Sequence, residues 1–254
     1  MRVLHAAHVP VSIVEAGRGR HFAKAKGLRA KTDPIDAAVL SEYGRTLQPA
    51  ATPAPTPTQA RLAELSTRRL QLLTTLTAES NRAAHYTDKL CVRQARQLRR
   101  LLEKQIAVCD AALAETIAAD ETLKGRAERL DAIPGVGTVT AATVLAELPE
   151  LGKISDEAAA ALVGVAPYNR DSGEQTGARH IAGGRTAVRC ALYMATLSAV
   201  RYDAILKAFY TRLRAAGKKP KATLAACMRK LVILISHLKA GGRINRRCSS
   251  RAGT

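Results

Sequence analysis

The sequence predicts a mainly α protein with a small α/β fragment at its start, and three observations carry that reading. Beyond position 58 the apolar residues recur at helical, largely heptad spacing. From Leu130 onward, short helix-forming runs alternate with glycine-rich turns. Only one short stretch, Val9-Pro10-Val11-Ser12-Ile13-Val14, reads as a buried strand.

The elements follow in order. Residues 1–47 read as that strand, a basic loop from Arg18 to Lys31, and a helix from Pro34 to about Tyr43. A strand–loop–helix fragment of this size is too small to bury a sheet by itself. Residues 48–58 carry Pro49, Pro53, Pro55 and Pro57 among Ala and Thr, a semi-extended linker and a domain boundary. Residues 59–126 place Leu62, Leu65, Leu72, Leu76, Ala83, Tyr86 and Leu90 in an a/d frame broken by Arg69 and Glu79. A second stripe runs through Leu98, Leu102, Ile106, Cys109 and Leu113. Two long helices folded back as a hairpin satisfy both stripes, as does a coiled coil with a partner chain.

Residues 127–240 read as an almost wholly helical domain. One helix runs from Arg185 to Arg201, with Val188, Ala191, Leu192 and Ala195 on one face. A second runs from Asp203 to Ala216, with Ile205, Leu206, Phe209 and Leu213. Pro220, at a first-turn position, opens a third with Leu224, Met228, Leu231, Leu234 and Leu238. Residues 241–254 form a basic tail.

Charge narrows the partner. Forty Lys and Arg stand against 21 Asp and Glu, a formal net charge of +19. From Arg170 to the C-terminus 18 cations face three acids (Asp171, Glu174 and Asp203), a local balance of +15. Such a surface implies a polyanion, of which nucleic acid is the usual one. No run approaches the roughly 18 apolar residues that span a bilayer, and the start lacks a signal-peptide core, so no membrane role and a cytoplasmic location are expected. Five cysteines without a close pair indicate reduced thiols rather than a disulfide framework or zinc knuckle. Aromatic content of 3% without Trp argues against base stacking, leaving a grip on phosphates and grooves.

Two local patterns carry chemistry. In Lys31-Thr32-Asp33-Pro34-Ile35-Asp36-Ala37, Asp33 and Asp36 leave the same edge of a helix's first turn if Pro34 opens it. Two hard oxygen ligands placed so can hold a Mg²⁺ ion beside a phosphate. Equally, Asp33 can be an N-cap and Asp36 a residue favoured by the helix dipole. In Leu130-Asp131-Ala132-Ile133-Pro134-Gly135-Val136-Gly137-Thr138, a helix end, a Pro-Gly-x-Gly turn and the helix-forming run Ala141–Leu148 make a helix-hairpin-helix pattern. Gly135 and Gly137 permit the turn, and the opening N–H groups of the next helix can receive a phosphate. An ordinary αα-corner would use the same glycines only to turn, but the basic chain around this one favours the phosphate.

A further segment runs Gly164-Val165-Ala166-Pro167-Tyr168-Asn169-Arg170-Asp171-Ser172-Gly173, then Gly177 to Arg185 with Gly183-Gly184. With the Lys31–Ala37 motif, the Ile133–Gly137 hairpin and the Ala222–Leu231 run, all in the same order, the chain resembles one family. These are the insertion-sequence transposases that join an RNase-H-like (RuvC-type) DEDD domain to a C-terminal serine domain, the bridge recombinases. The resemblance covers nearly everything from Val9 to Lys239. It implies DNA cutting and rejoining through an acidic metal centre and a serine that attacks the backbone phosphate, with a guide RNA choosing the sites.

On that resemblance Asp33 and Asp36 match the third and fourth acids, as metal ligands for Mg²⁺, and Ser172 matches the nucleophile. Arg170, Arg179 and Arg185 near it would stabilise a pentacoordinate phosphorane. Arg189, Lys218, Lys219 and Lys221, with Gly135 and Gly137, complete the candidate nucleic-acid contacts. Taken without the resemblance, Ser172 is a turn or cap residue, as most Asp-Ser-Gly triplets are. The family's first Asp and its Glu have no counterpart in this sequence, which implies an N-terminally truncated form without the central strands of that sheet and impaired when alone. The family also implies a homo-oligomer. Two other readings remain: a non-catalytic DNA- or RNA-binding remnant of a mobile element, and a host helix-hairpin-helix protein, in which the serine loop and the acidic motif have no role.

Overall fold

The computed structural model describes residues 2–14, 16–28, 32–168 and 180–239. The chain divides into two compact units, residues 1–56 and 57–254.

Among its described residues the first unit holds three helices, α1 (Arg2–Ala6), α2 (Ala16–Ala25) and α3 (Asp33–Leu47). Two expectations are corrected here. The segment Val9–Val14 is irregular rather than a strand. Its polar groups find partners in the proline-rich segment instead of a ladder: Thr52 N–H donates to the Val11 carbonyl at 2.7 Å and the Ser12 hydroxyl to the Pro49 carbonyl at 2.8 Å. Among the described residues of this unit no strand exists for it to pair with, and an unpaired strand cannot satisfy its backbone. The stretch expected as a basic loop contains α2, despite Gly17 and Gly19. Packing outweighs their poor helix propensity: the Phe22 ring meets the Tyr43 ring edge-on, with centroids 5.4 Å apart.

Helix α3 begins one residue before the expected start, with Asp33 inside its first turn rather than at the cap. Thr32 is its extended N-cap, Pro34 sits in the first turn, and Asp33 and Asp36 occupy that turn, where the helix dipole favours anions. The helix runs on to Leu47 and ends on Gln48, whose left-handed backbone (φ +41°) closes an N–H bond to the Gly44 carbonyl. Val39 and Tyr43 are its buried residues, and Lys26 pairs with Glu42 alongside.

The second unit opens with α4 (Pro57–Ala83) and α5 (Lys89–Ala118). The five-residue connection reverses the chain, and Asp88 caps α5 by accepting from the N–H groups of Leu90 (2.8 Å) and Cys91 (3.1 Å). Those two bonds, the Cys91 one first, hold its carboxyl below the ordinary range. The helices lie antiparallel: Arg69 reaches Asp110 at 2.5 Å, and Leu72 packs on Leu102 and Cys109. Arg69 and Glu79, the apparent breaks in the heptads, thus belong to the packed face. Glu79 is buried and bonds Arg82 at 3.3 Å. The frame does not continue through Tyr86 and Leu90, which are exposed at the turn, nor does it bury Leu98.

Around the base of this hairpin pack α6 (Glu121–Asp131), α7 (Thr138–Glu147), α8 (Asp156–Val163), α9 (Thr186–Tyr202), α10 (Ala204–Ala215) and α11 (Pro220–Lys239). Asp120, Ser155 and Asp203 cap α6, α8 and α10 through their side-chain oxygens. Helix α7 is apolar nearly all round and buries Ala141 to Ala146, which makes it the central helix. One continuous core joins Leu62, Leu113, Leu130, Val144, Val188, Leu231 and Ile235. Two strands of two residues, β1 (Pro167–Tyr168) and β2 (His180–Ile181), pair antiparallel on the surface.

Candidate nucleic-acid interface

The segment carrying Ser172, Arg170 and Arg179 (169–179) lies outside the described residues, but the structure describes both of its ends. Pro167 pairs with Ile181 and Tyr168 with His180, so the two ends leave the domain side by side. Below the pair, the chain is locked by glycine against glycine. Gly164 closes α8 with φ +78°, and a Cβ there would strike the Gly183 carbonyl and the Arg189 guanidinium. A Cβ on Gly184 would in turn strike the Gly164 and Val163 backbone. The Arg189 guanidinium donates to that same Gly183 carbonyl, and its other end reaches the Thr186 hydroxyl at 3.3 Å.

Arg185 fixes the next turn. Its N–H donates to the Leu162 carbonyl at 2.9 Å. Its guanidinium grips both Glu150 oxygens, at 2.8 and 2.6 Å, and also reaches the Glu147 carbonyl. Arg185 and Arg189, both candidates for DNA contact, are therefore engaged in tying the segment that opens α9 to α8 and to the turn before it. The Arg185 charge is met by the Glu150 carboxylate, and the Arg189 guanidinium is tied to the Gly183 carbonyl. Glu150 was invisible to sequence reasoning: it lies 35 residues from Arg185 in a turn, and no spacing rule connects them.

The two hairpin glycines differ. Gly135 (φ +91°) faces α9 so closely that a Cβ would lie 2.6 Å from the Ala195 carbonyl oxygen and 2.6 Å from Ala199 N. Its work is helix packing between the α6–α7 turn and α9. Gly137 is exposed, has nothing within 4 Å of where a Cβ would be, and caps α7 without a side-chain bond. Of the two, it leaves the approach to the helix N-terminus open.

Lys218, Lys219 and Lys221 stand exposed where α10 passes into α11. Nearby, Lys230 lies 4.0 Å and Arg212 5.4 Å from the centre of the Phe209 ring. Burial first, and the Arg212 charge second, draw the Lys230 ammonium below the ordinary lysine range. Besides the exposed loop lysines, α10 and α11 thus gather two cations around one aromatic ring.

Asp33 and Asp36 belong to the other unit, both exposed on the first turn of α3. Among the described residues no group of three or more His, Cys, Asp or Glu side chains converges as a metal cage would. As a donor set, the pair fits two oxygen positions of a hard cation that keeps most of its water. Among the described residues no helix is long and apolar enough to cross a membrane.

Comparison with known proteins finds two matched regions, the first of which runs past the boundary at residue 56 into the helical hairpin. Residues 127–211 match the Transposase IS116/IS110/IS902 family, and residues 1–92 match the DEDD transposase family of the IS110 group. Two regions of the chain are thus similar to IS110-family transposase domains. It is 29% identical over 239 residues to the pilin gene-inverting protein of Moraxella bovis, covering 89% of this chain and 71% of that protein. The pilin gene-inverting protein of Moraxella lacunata aligns with the same identity and coverage.

Proposed function

We propose that the chain is an insertion-sequence recombinase that breaks and rejoins DNA strands with Ser172 as nucleophile. The Ser172 oxygen attacks a backbone phosphorus, forming a serine–phosphate ester while the bond to one sugar oxygen breaks. The serine proton passes to that leaving oxygen. Attack on the ester by a hydroxyl of another strand reverses the step and frees the serine. Arg185 and Arg189 hold the loop's base, Arg170 and Arg179 flank the nucleophile in sequence, and the lysines at 218, 219 and 221 bind flanking phosphates.

Asp33 and Asp36 would hold a divalent cation, Mg²⁺ by analogy with the family. When bound, it would neutralise phosphate charge beside the reacting strand. Two carboxylates hold such an ion loosely, so this polypeptide alone is expected to be impaired in strand transfer. A guide RNA and a homo-oligomer complete the reading.

The observation that most supports it is the double family match, with Asp33 and Asp36 inside the first matched region and Ser172 inside the second. The relatives' name also denotes inversion of a gene, which requires strands to be broken and rejoined. The test is Ser172→Ala in a strand-joining assay on element-end DNA with its RNA supplied. We expect joined product to disappear while DNA affinity is kept. Unchanged product from the variant would end the serine mechanism.

A second reading, a non-catalytic nucleic-acid-binding remnant, draws support from the lack of a third metal-binding side chain near Asp33 and Asp36 among the described residues. It expects the parent chain to bind DNA yet give no product under any metal condition.

A further inference from the structure

The long hairpin carries a row of cations that the serine-loop reading does not use. Lys89, Arg93, Arg96, Arg100 and Lys104 follow one another at intervals of four, three, four and four residues along α5, which sets them on one face of the helix. Arg99 stands beside the row, and Glu103 is the only acid between positions 89 and 104. All six cations are exposed. Their side chains enter no ion pair or hydrogen bond among the described residues.

By helical periodicity the row lies roughly opposite Ala95, Leu102, Cys109 and Leu113, the buried face of α5. Helix α4 is therefore behind it and shields none of it. The row rises over about 22 Å, roughly two-thirds of a turn of duplex DNA. Five like charges gathered on one helix face, with Arg99 off to its side, raise the free energy of the isolated protein unless a polyanion lies against them.

We infer that this face of α5 is a second nucleic-acid surface, one that lies along the major groove of B-form duplex DNA and contacts phosphates on its walls. Shape decides for DNA over RNA. A straight helix fits a groove about 12 Å wide, whereas the A-form major groove is too deep and narrow to admit it. The inference rests on the reading that the chain acts on DNA, and it extends the DNA path from the serine domain along the hairpin. The contacts are made to phosphates, so they position the duplex rather than read its sequence.

The test is the full-length chain with Arg93→Gln, Arg96→Gln, Arg100→Gln and Lys104→Gln together. Binding to a 30-base-pair DNA duplex and to an RNA duplex of the same sequence is followed by fluorescence anisotropy across a salt series. Circular dichroism checks that helicity is kept. DNA affinity should fall at least tenfold at about 0.1 M salt, and the log–log salt slope should become shallower by about 3.6, for four lost phosphate contacts. RNA affinity should fall less.

A variant that keeps the parental DNA affinity and slope overturns the assignment, and so does an equal or larger loss on RNA. If the fourfold variant loses helicity, Arg96→Gln and Arg100→Gln singly decide, each expected to reduce the slope by about 0.9. A parent chain whose DNA binding ignores salt would instead sink the functional reading. Salt-dependent parental binding that the variant leaves untouched sinks only the surface on α5.

Discussion

At the scale of single residues, the two hairpin glycines separate packing from binding. Gly135→Ala would force a methyl group into the Ala195 and Ala199 backbone at a positive φ. Strain and overpacking together should cost about 2 to 4 kcal/mol, read as a lowered melting temperature. Gly137→Ala meets open space at an ordinary φ of −87°. It should cost only the lost N-cap preference of glycine over alanine, about 0.5 to 1 kcal/mol, so a loss of DNA binding in the still-folded variant reports on the helix N-terminus itself. Cysteine chemistry offers a second contrast. Burial pushes the Cys227 thiol up to about 11, whereas Cys190 is exposed. Iodoacetamide at pH 8.5 should label Cys190 and spare Cys227 until the protein is unfolded; fast labelling of Cys227 in the folded chain would contradict the packing of α11. The linked stability has a definite sign. An unfolded thiol loses its proton near pH 9 and the folded one near pH 11. The contribution is therefore intact below pH 9 and is lost as pH climbs between those values.

At the scale of elements, the hairpin's outer half should be the less stable part of its unit. Its core there is the small cluster of Leu72, Leu102 and Cys109, with Leu76 and Ile106 against it. Leu102→Ala should cost about 2 to 4 kcal/mol and speed amide exchange in α4 and α5 near that cluster. Exchange in α7 and α11, which belong to the large core, should change little. Uniform acceleration through all helices would show one cooperative unit instead. The elements were also unequally legible from sequence. Periodicity and capping found α3 to α5, α7 and α9 to α11 because each has a wide apolar stripe, a clear stop or both, whereas of α6 only the end at Leu130 was legible and the expected boundary at 126/127 falls inside it. The polar breaks at Arg69 and Glu79 misled only in isolation, since the charges that explain them lie across the hairpin or a turn away. Helix α2 was hidden by its glycines, and its cause, the Phe22–Tyr43 contact, is tertiary. A run such as Val9–Val14 has strand composition, yet composition cannot supply a neighbouring strand. In the candidate site, the glycine lock of Gly164 and Gly184 was visible as a motif, but its purpose was not. The Glu150 grip on Arg185 left no sequence signal at all.

At the scale of the whole molecule, the distribution of buried apolar surface decides which part can stand alone. The second unit owns a continuous core from Leu62 to Leu238, in which each fully buried Leu, Ile or Val contributes roughly 1.5 to 3 kcal/mol. Among its described residues the first unit buries little beyond Val39 and Tyr43, far short of what offsets the ordering of its backbone. Cleavage in the irregular segment between α3 and α4 should therefore release a fragment of residues 57–254 that keeps its helical circular dichroism and its cooperative melt. The isolated fragment 1–56 should show little structure. Charge follows the same division. Both proposed cationic surfaces, along α5 and at the α10–α11 junction, belong to the larger fragment. It should bind duplex DNA with nearly the parental salt slope, which anisotropy across a salt series measures. Metal dependence should part from it, because Asp33 and Asp36 stay with the smaller piece: adding Mg²⁺ beyond its effect as a salt should alter the fragment's DNA binding no further. A fragment that melts without cooperativity, or that binds with a slope shallower by several units, would mean that residues 1–56 supply core or cations this division denies them.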